Sequence, residues 1–288
     1  MIEKFRIDIP GQIRLNIPGR LLLESSNSVA VRIGSADCDI AKLKEHYAHR
    51  LFNFEIEGDL IQDQALMKRL EKSRVKIGPN TGIFEVGKSL QFYKSFLPVF
   101  FIKPDSQLIK SINYLTAFGF QVHIDMANPP ENSSILEKAV EFYLHNPLLK
   151  TPIEPFHSLV KTLSGRAKIS LWDTEYEKLG SNAYIDDSEN ISLSRRWLDK
   201  GKSYGKIDNT WEDLTDSSLY VKLKNFKEEL FRKKSPCIFC SHMDICAGFL
   251  KAIDGDWPCE PWIKAFDRLK GEVAKARSIM REIDEGAK

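Results

Sequence analysis

The chain has 288 residues, with 42 Lys and Arg against 40 Asp and Glu, for a formal net charge of +2. That near balance argues against a generic basic nucleic-acid binder and against a protein drawn to anionic membranes. No run of about 18 apolar residues occurs, and the opening Met1-Ile-Glu-Lys-Phe-Arg6 lacks the apolar stretch of a secretory signal, so neither a membrane span nor export is expected and the location reads as cytoplasmic.

Residues 1–28 read as short strands broken by Pro10-Gly11 and Pro18-Gly19, with alternation through Phe5–Ile9 and Ile13–Ile17, the pattern of a hairpin or an edge extension. From residue 29 apolar runs alternate with helical periods, the rhythm of βα units around a parallel sheet. Strands are expected at Val29–Ile33, Phe52–Ile56, Val75–Ile77, Val99–Ile102 and Phe120–Ile124. Helices are expected at Ile40–Leu51, Asp63–Lys72, Gln107–Phe118, Ile135–Leu144 and Phe156–Leu163. Half a dozen such units suit an open, partial (βα) barrel better than a closed one of eight.

After residue 165 the rhythm breaks into short strands and polar turns, with strands expected at Lys168–Trp172 and Ala183–Ile185 and a basic helix at Leu219–Lys234. The last helix, Trp262–Ile283, sets Trp262, Phe266, Leu269, Val273, Ala276, Met280 and Ile283 at steps of four and three, an apolar seam that packs on its own domain or docks a partner. The resulting division is an N-terminal strand extension at 1–28, a βα region at 29–165, a smaller module at 166–261 and a C-terminal amphipathic helix at 262–288.

Four of the five cysteines, Cys237, Cys240, Cys246 and Cys259, fall in one stretch, spaced Cys-x2-Cys-x5-Cys-x12-Cys. Clustering in a reducing compartment favours a metal centre over disulfides. The Cys-x2-Cys turn lets two thiolates face one centre, and Pro236, Gly248, Gly255 and Pro258 supply tight turns. Four thiolates suit zinc or an iron–sulfur cluster, and the spacing leaves both open. His242 inside the motif is a possible substitute ligand in a zinc site, and the remaining alternative is that the cysteines are small buried hydrophobes.

Elsewhere the candidates are thinner. Glu55, Glu57 and Asp59 alternate along a strand, the pattern of a solvated face or of acid–base chemistry. His46 and His49 lie three apart on a helix, which falls short of a metal signature. Gly78-Pro-Asn-Thr-Gly82 is a turn, not a phosphate loop, since no Lys-Ser/Thr follows. Cys38 stands alone as a free cysteine.

The run Cys237-Ile-Phe-Cys240-Ser-His-Met-Asp-Ile-Cys246-Ala-Gly-Phe-Leu250 resembles the Cys-x2-Cys-x5-Cys-x3-Cys signature of the SPASM domain, the auxiliary-cluster module of radical SAM peptide maturases. The resemblance implies one outer [4Fe–4S] cluster held by Cys237, Cys240, Cys246 and Cys259. It also implies that an inner cluster has been lost, because Leu250 stands at the fourth signature position and Ser194 stands where Tyr184–Ser194 matches a segment that ends in cysteine. Upstream, Phe54–Leu60, Val75–Gly82 and Leu115–Val122 resemble radical SAM barrel segments in the right order. The three-cysteine loop that would hold the SAM-binding cluster is represented only by Cys38, so SAM binding and radical SAM chemistry are not expected.

What the resemblance implies is a degenerate partial (βα) barrel of radical SAM type fused to a SPASM-like cluster module and a C-terminal helix, akin to SPASM-domain proteins of the GeoRSP type. Such a chain would be a non-catalytic or electron-relay accessory, with a radical SAM maturase and a precursor peptide as partners. The alternative is a zinc-stabilised binding module. No oligomeric state follows from the sequence.

Overall fold

Apolar runs of three to six residues that must be covered on both faces form parallel strands, and the βα rhythm becomes one such sheet. In the computed structural model the described residues are 3–6, 12–15, 21–24, 29–33, 37–48, 51–56, 60, 62–71, 73–78, 98–126, 128–255 and 257–286. The turn after Gly78, together with His49, Glu57 and Asp59, lies outside them.

In chain order, β1 (Glu3–Arg6), β2 (Gln12–Leu15) and β3 (Leu21–Glu24) precede β4 (Val29–Ile33). Helix α1 (Ile40–Tyr47) opens at Asp39, whose carboxylate accepts from the Lys42 N–H at 3.1 Å. It stops short of Leu51 because Ala48 turns to a φ of 38°, and β5 (Leu51–Ile56) begins there instead. Asp63 caps α2 (Gln64–Arg69) through the Leu66 N–H at 2.8 Å. β6 (Val75–Ile77) and β7 (Val99–Ile102) follow, then α3 (Leu108–Ala117), released into β8 (Gln121–Ile124) by Gly119 at φ 82°. Asn132 caps α4 (Ser133–His145), and β9 (Ile153–Glu154) leads into α5 (Phe156–Leu163).

The strand expected at Lys168–Trp172 does not form. Ser170 and Asp173 make a capping box that starts the short helix α6 (Leu171–Thr174). Beyond it come β10 (Asn182–Ile185), β11 (Asn190–Ser192), α7 (Arg195–Leu198), β12 (Gly205–Lys206) and α8 (Trp211–Asp216). The basic helix expected at Leu219–Lys234 is two helices, α9 (Ser218–Lys224) and α10 (Phe226–Arg232), separated at Asn225. Next are α11 (Met243–Cys246) and α12 (Phe249–Ala252), and last α13 (Glu260–Gly286).

The chain divides into two compact units. The first, residues 1–101 and 176–229, carries strands in the order β12-β11-β10-β2-β4-β5-β6-β7. The run from β10 to β7 is parallel, and β11 and β12 add antiparallel pairs at its edge. Of the hairpin or edge extension expected over residues 1–28, no hairpin forms among the described residues: β1 pairs parallel with β3, and β2 is inserted between β4 and β10. Val29, Val31, Ile33, Phe54, Val75 and Ile77 are fully buried.

One core position there is polar. Asn53 of β5 is 2 % exposed, and neither its amide oxygen nor its nitrogen has a hydrogen-bond partner among the described residues. Leaving such a group unmatched costs about 1–3 kcal/mol. Asn53→Val, which also suits a parallel strand, is therefore expected to stabilise the protein by about 1–3 kcal/mol, read as a raised urea midpoint at unchanged slope. A lowered midpoint would assign the amide a positive role.

The second unit, residues 102–175 and 230–288, pairs β8 with β9 and packs α13 against α4 and α5. The buried side of α13 is Trp262, Ala265, Phe266, Leu269 and Val273, while Met280 and Ile283 at the far end of the same seam are exposed. Arg268 of α13 donates to Glu141 of α4 at 2.5 Å. No helix among the described residues is long and apolar enough to cross a membrane.

Candidate metal centre

All four clustered cysteines belong to the second unit and line one cavity of about 120 Å³, together with His242, Leu250, Lys251 and Phe266. Local chemistry places each of them. Ser235 caps a single 3₁₀ turn, Pro236–Phe239, by accepting from the Cys237 N–H at 3.3 Å, and Cys240 closes that turn through its N–H to the Cys237 carbonyl at 3.1 Å. Cys246 ends α11, its N–H donating to the His242 carbonyl at 2.8 Å. Cys259 directly precedes α13 and accepts from the Ile263 N–H at 2.9 Å.

After Cys246 the chain takes two successive left-handed residues, Ala247 at φ 48° and Gly248 at φ 75°. The backbone N–H groups of Gly248 and Leu250 both donate to the Cys246 sulfur. Trp172 of α6 holds this turn from outside, donating through Nε1 to the Ala247 carbonyl at 3.1 Å and meeting Phe249 edge-on at 5.2 Å. Burial drives the Cys246 thiol up to about 12; the two backbone donors oppose the shift, and the neighbouring Cys259 and Cys237 reinforce it. Burial also raises Cys259, with Lys251 pulling the other way and Cys237 and Cys240 adding to the rise. These effects link Cys259 to Cys237, Cys240 and Cys246, and Cys246 to Cys237.

The donor set fits a soft centre: four sulfurs, one of them carrying two N–H bonds of the kind that tune cluster potentials. Among the described residues, no three or more His, Cys, Asp or Glu side chains form a group disposed to hold a metal ion. His242 is 2 % exposed, packs edge-on against Phe266 at 5.6 Å and shares a 2.8 Å bond between its Nε2 and Asp267 Oδ1. That nitrogen is therefore already engaged.

The two positions where the resemblance expects inner-cluster ligands have separate fates. Leu250 is 4 % exposed and forms part of the cavity wall. Ser194, in the first unit, donates from Oγ to Glu177 Oε1 at 2.6 Å, and the same carboxylate receives both Arg196 Nε and Nη2 at 2.6 Å and Trp197 Nε1 at 2.9 Å. Glu177 is 3 % exposed and was not singled out by sequence reasoning.

The remaining candidates lie apart from this cavity. Cys38 is buried in the first unit and its thiol is pushed up to about 11, mainly by burial. Glu55 lies 3.7 Å from Lys76 Nζ, which also sits 3.9 Å from the centre of the Tyr176 ring. His46 packs edge-on against Tyr47 at 4.8 Å.

No protein-family model and no curated protein matches the sequence. Solved structures do share its fold. SuiB of Streptococcus suis bound to the precursor peptide SuiA superposes with a TM-score of 0.52 at 12 % identity, over 83 % of this chain and 71 % of SuiB. SuiB bound to S-adenosylmethionine gives a TM-score of 0.51 at 13 % identity, over 83 % of this chain and 72 % of SuiB.

Proposed function

We propose that the chain is a non-catalytic or electron-relaying accessory protein that carries one [4Fe–4S] cluster on Cys237, Cys240, Cys246 and Cys259 and partners a radical SAM enzyme in maturing a ribosomally made peptide. The observation that carries this reading is the shared cavity of the four cysteines, about 120 Å³. One water needs about 10–15 Å³ on that measure, so the cavity that the thiols line together with eight other residues has room for a multi-atom group. A cluster there would supply structural cross-linking or outer-sphere electron transfer; four cysteine ligands leave no iron open for substrate. The chain's own part is to keep four thiols in place, give two N–H bonds to Cys246 and wall the site with Leu250 and Phe266.

The peptide-maturation context is supported by the fold likeness to SuiB, which has been seen with its precursor peptide and with S-adenosylmethionine. On this reading residues 29–165 are a degenerate radical SAM-type barrel and 166–261 a SPASM-like module, the arrangement of a SPASM-domain protein of the GeoRSP type. Cys38 alone cannot bind the cluster that cleaves SAM, so the partner supplies that chemistry. The test is the formation of deoxyadenosine from SAM under strong reductant. The chain alone should give none above a protein-free control, and turnover by the chain alone would overturn the accessory assignment.

A further inference from the structure

The two left-handed residues after Cys246, Ala247 at φ 48° and Gly248 at φ 75°, fold the chain back over the sulfur. Successive turn residues of this kind bring backbone N–H groups together in a concavity, a shape found around anions and iron–sulfur centres. Here the Gly248 and Leu250 N–H groups meet on Cys246. The flanking amides close α11 and open α12: Ala247 donates to the Met243 carbonyl at 2.8 Å and Lys251 to the Gly248 carbonyl at 3.0 Å. Gly248 takes a positive φ freely, but Ala247 carries a Cβ and does so at a cost. Something must hold it there. Trp172 Nε1 donates to the Ala247 carbonyl at 3.1 Å across 75 residues of chain, and its ring meets Phe249, 1 % exposed, edge-on at 5.2 Å. The turn is thus gripped at its costly residue and again two residues on. Trp172 is itself fixed, because α6 opens on the Ser170–Asp173 capping box and packs against α11. It is not part of the cavity wall.

The geometry points to Trp172 as a positioning residue that sets the reduction potential of the centre by keeping the Gly248 and Leu250 N–H groups on Cys246. The inference rests on the iron–sulfur reading of the site. One-electron reduction adds a negative charge shared by the cysteine sulfurs, and N–H dipoles aimed at a sulfur stabilise that form and raise the potential. Without the indole bond, Ala247 relaxes away from its positive φ and draws both donors off the sulfur. The potential then falls while the four thiols still hold iron.

The test reconstitutes the full chain with iron anaerobically and titrates it with dithionite through mediator dyes, reading the one-electron midpoint from the absorption near about 400 nm and counting iron in the same samples. Trp172→Phe keeps an aromatic ring against Phe249 but has no N–H to give. It should hold wild-type iron and shift the reduction equilibrium toward the oxidised form about tenfold, which for one electron is a midpoint lower by about 59 mV. Adding Ala247→Gly to that variant removes the cost of the left-handed residue and should recover most of the shift. Neither a packing defect nor a direct field from the indole would give that rescue. An unchanged midpoint, loss of iron from Trp172→Phe, or a midpoint that Ala247→Gly does not restore would overturn the inference and leave the cluster reading standing. A colourless wild type carrying zinc would overturn the cluster reading, and the inference with it.

Discussion

Cys246→Ala is expected to remove the broad absorption near about 400 nm of anaerobically reconstituted protein and to bring its iron from about four per chain to background. Burial drives the Cys246 thiol to about 12, and the backbone N–H groups of Gly248 and Leu250 donate to its sulfur. A buried thiol left without a metal stays protonated, whereas a metal takes the proton's place and repays the burial. Three remaining cysteines would leave one corner of a cluster open to solvent and oxidation. Cys38→Ala is the matched control, because burial raises the Cys38 thiol too, to about 11, but Cys38 lies in the first unit; iron and absorption should persist in that variant. Iron retained by Cys246→Ala at the wild-type level would remove this residue from the ligand set. About one zinc and no colour in the wild type would replace the cluster by an ion.

Glu177→Ala is expected to cost the first unit about 3–5 kcal/mol, read by denaturant unfolding followed through tryptophan fluorescence. One carboxylate, 3 % exposed, satisfies the Ser194 hydroxyl, two nitrogens of the Arg196 guanidinium and the indole of Trp197, which is itself 1 % exposed. Its removal would take two bonds from a half-buried cation and leave two buried donors unmatched at once, and such losses exceed those of any single bond. Glu177→Gln keeps the shape but loses the charge and should fall between the wild type and alanine. A loss below about 1 kcal/mol for alanine would mean that solvent replaces the carboxylate freely.

Much of this was legible in the residues. The parallel strands Val75–Ile77 and Val99–Ile102 and the helix Phe156–Leu163 stand where the apolar periods place them. The four cysteines read as one group from spacing alone, and they share one cavity. Three features were hidden. The Ser170–Asp173 capping box overrode the strand pattern of Lys168–Trp172, and Ser-x-x-Asp was its available signal. The parallel placement of β2 depends on partners far along the chain, which no local pattern encodes. Glu177 carries no motif, because its partners at Ser194, Arg196 and Trp197 meet it only after the fold has formed.

The fourth thiol, Cys259, comes directly before the helix that packs on α4 and α5. On the cluster reading, that arrangement ties the fourth ligand to helix packing: Cys237, Cys240 and Cys246 lie on the turns before it, whereas Cys259 keeps its position only while α13 stays seated on α4 and α5. A chain without α13 would retain all four thiols and leave Cys259 unanchored.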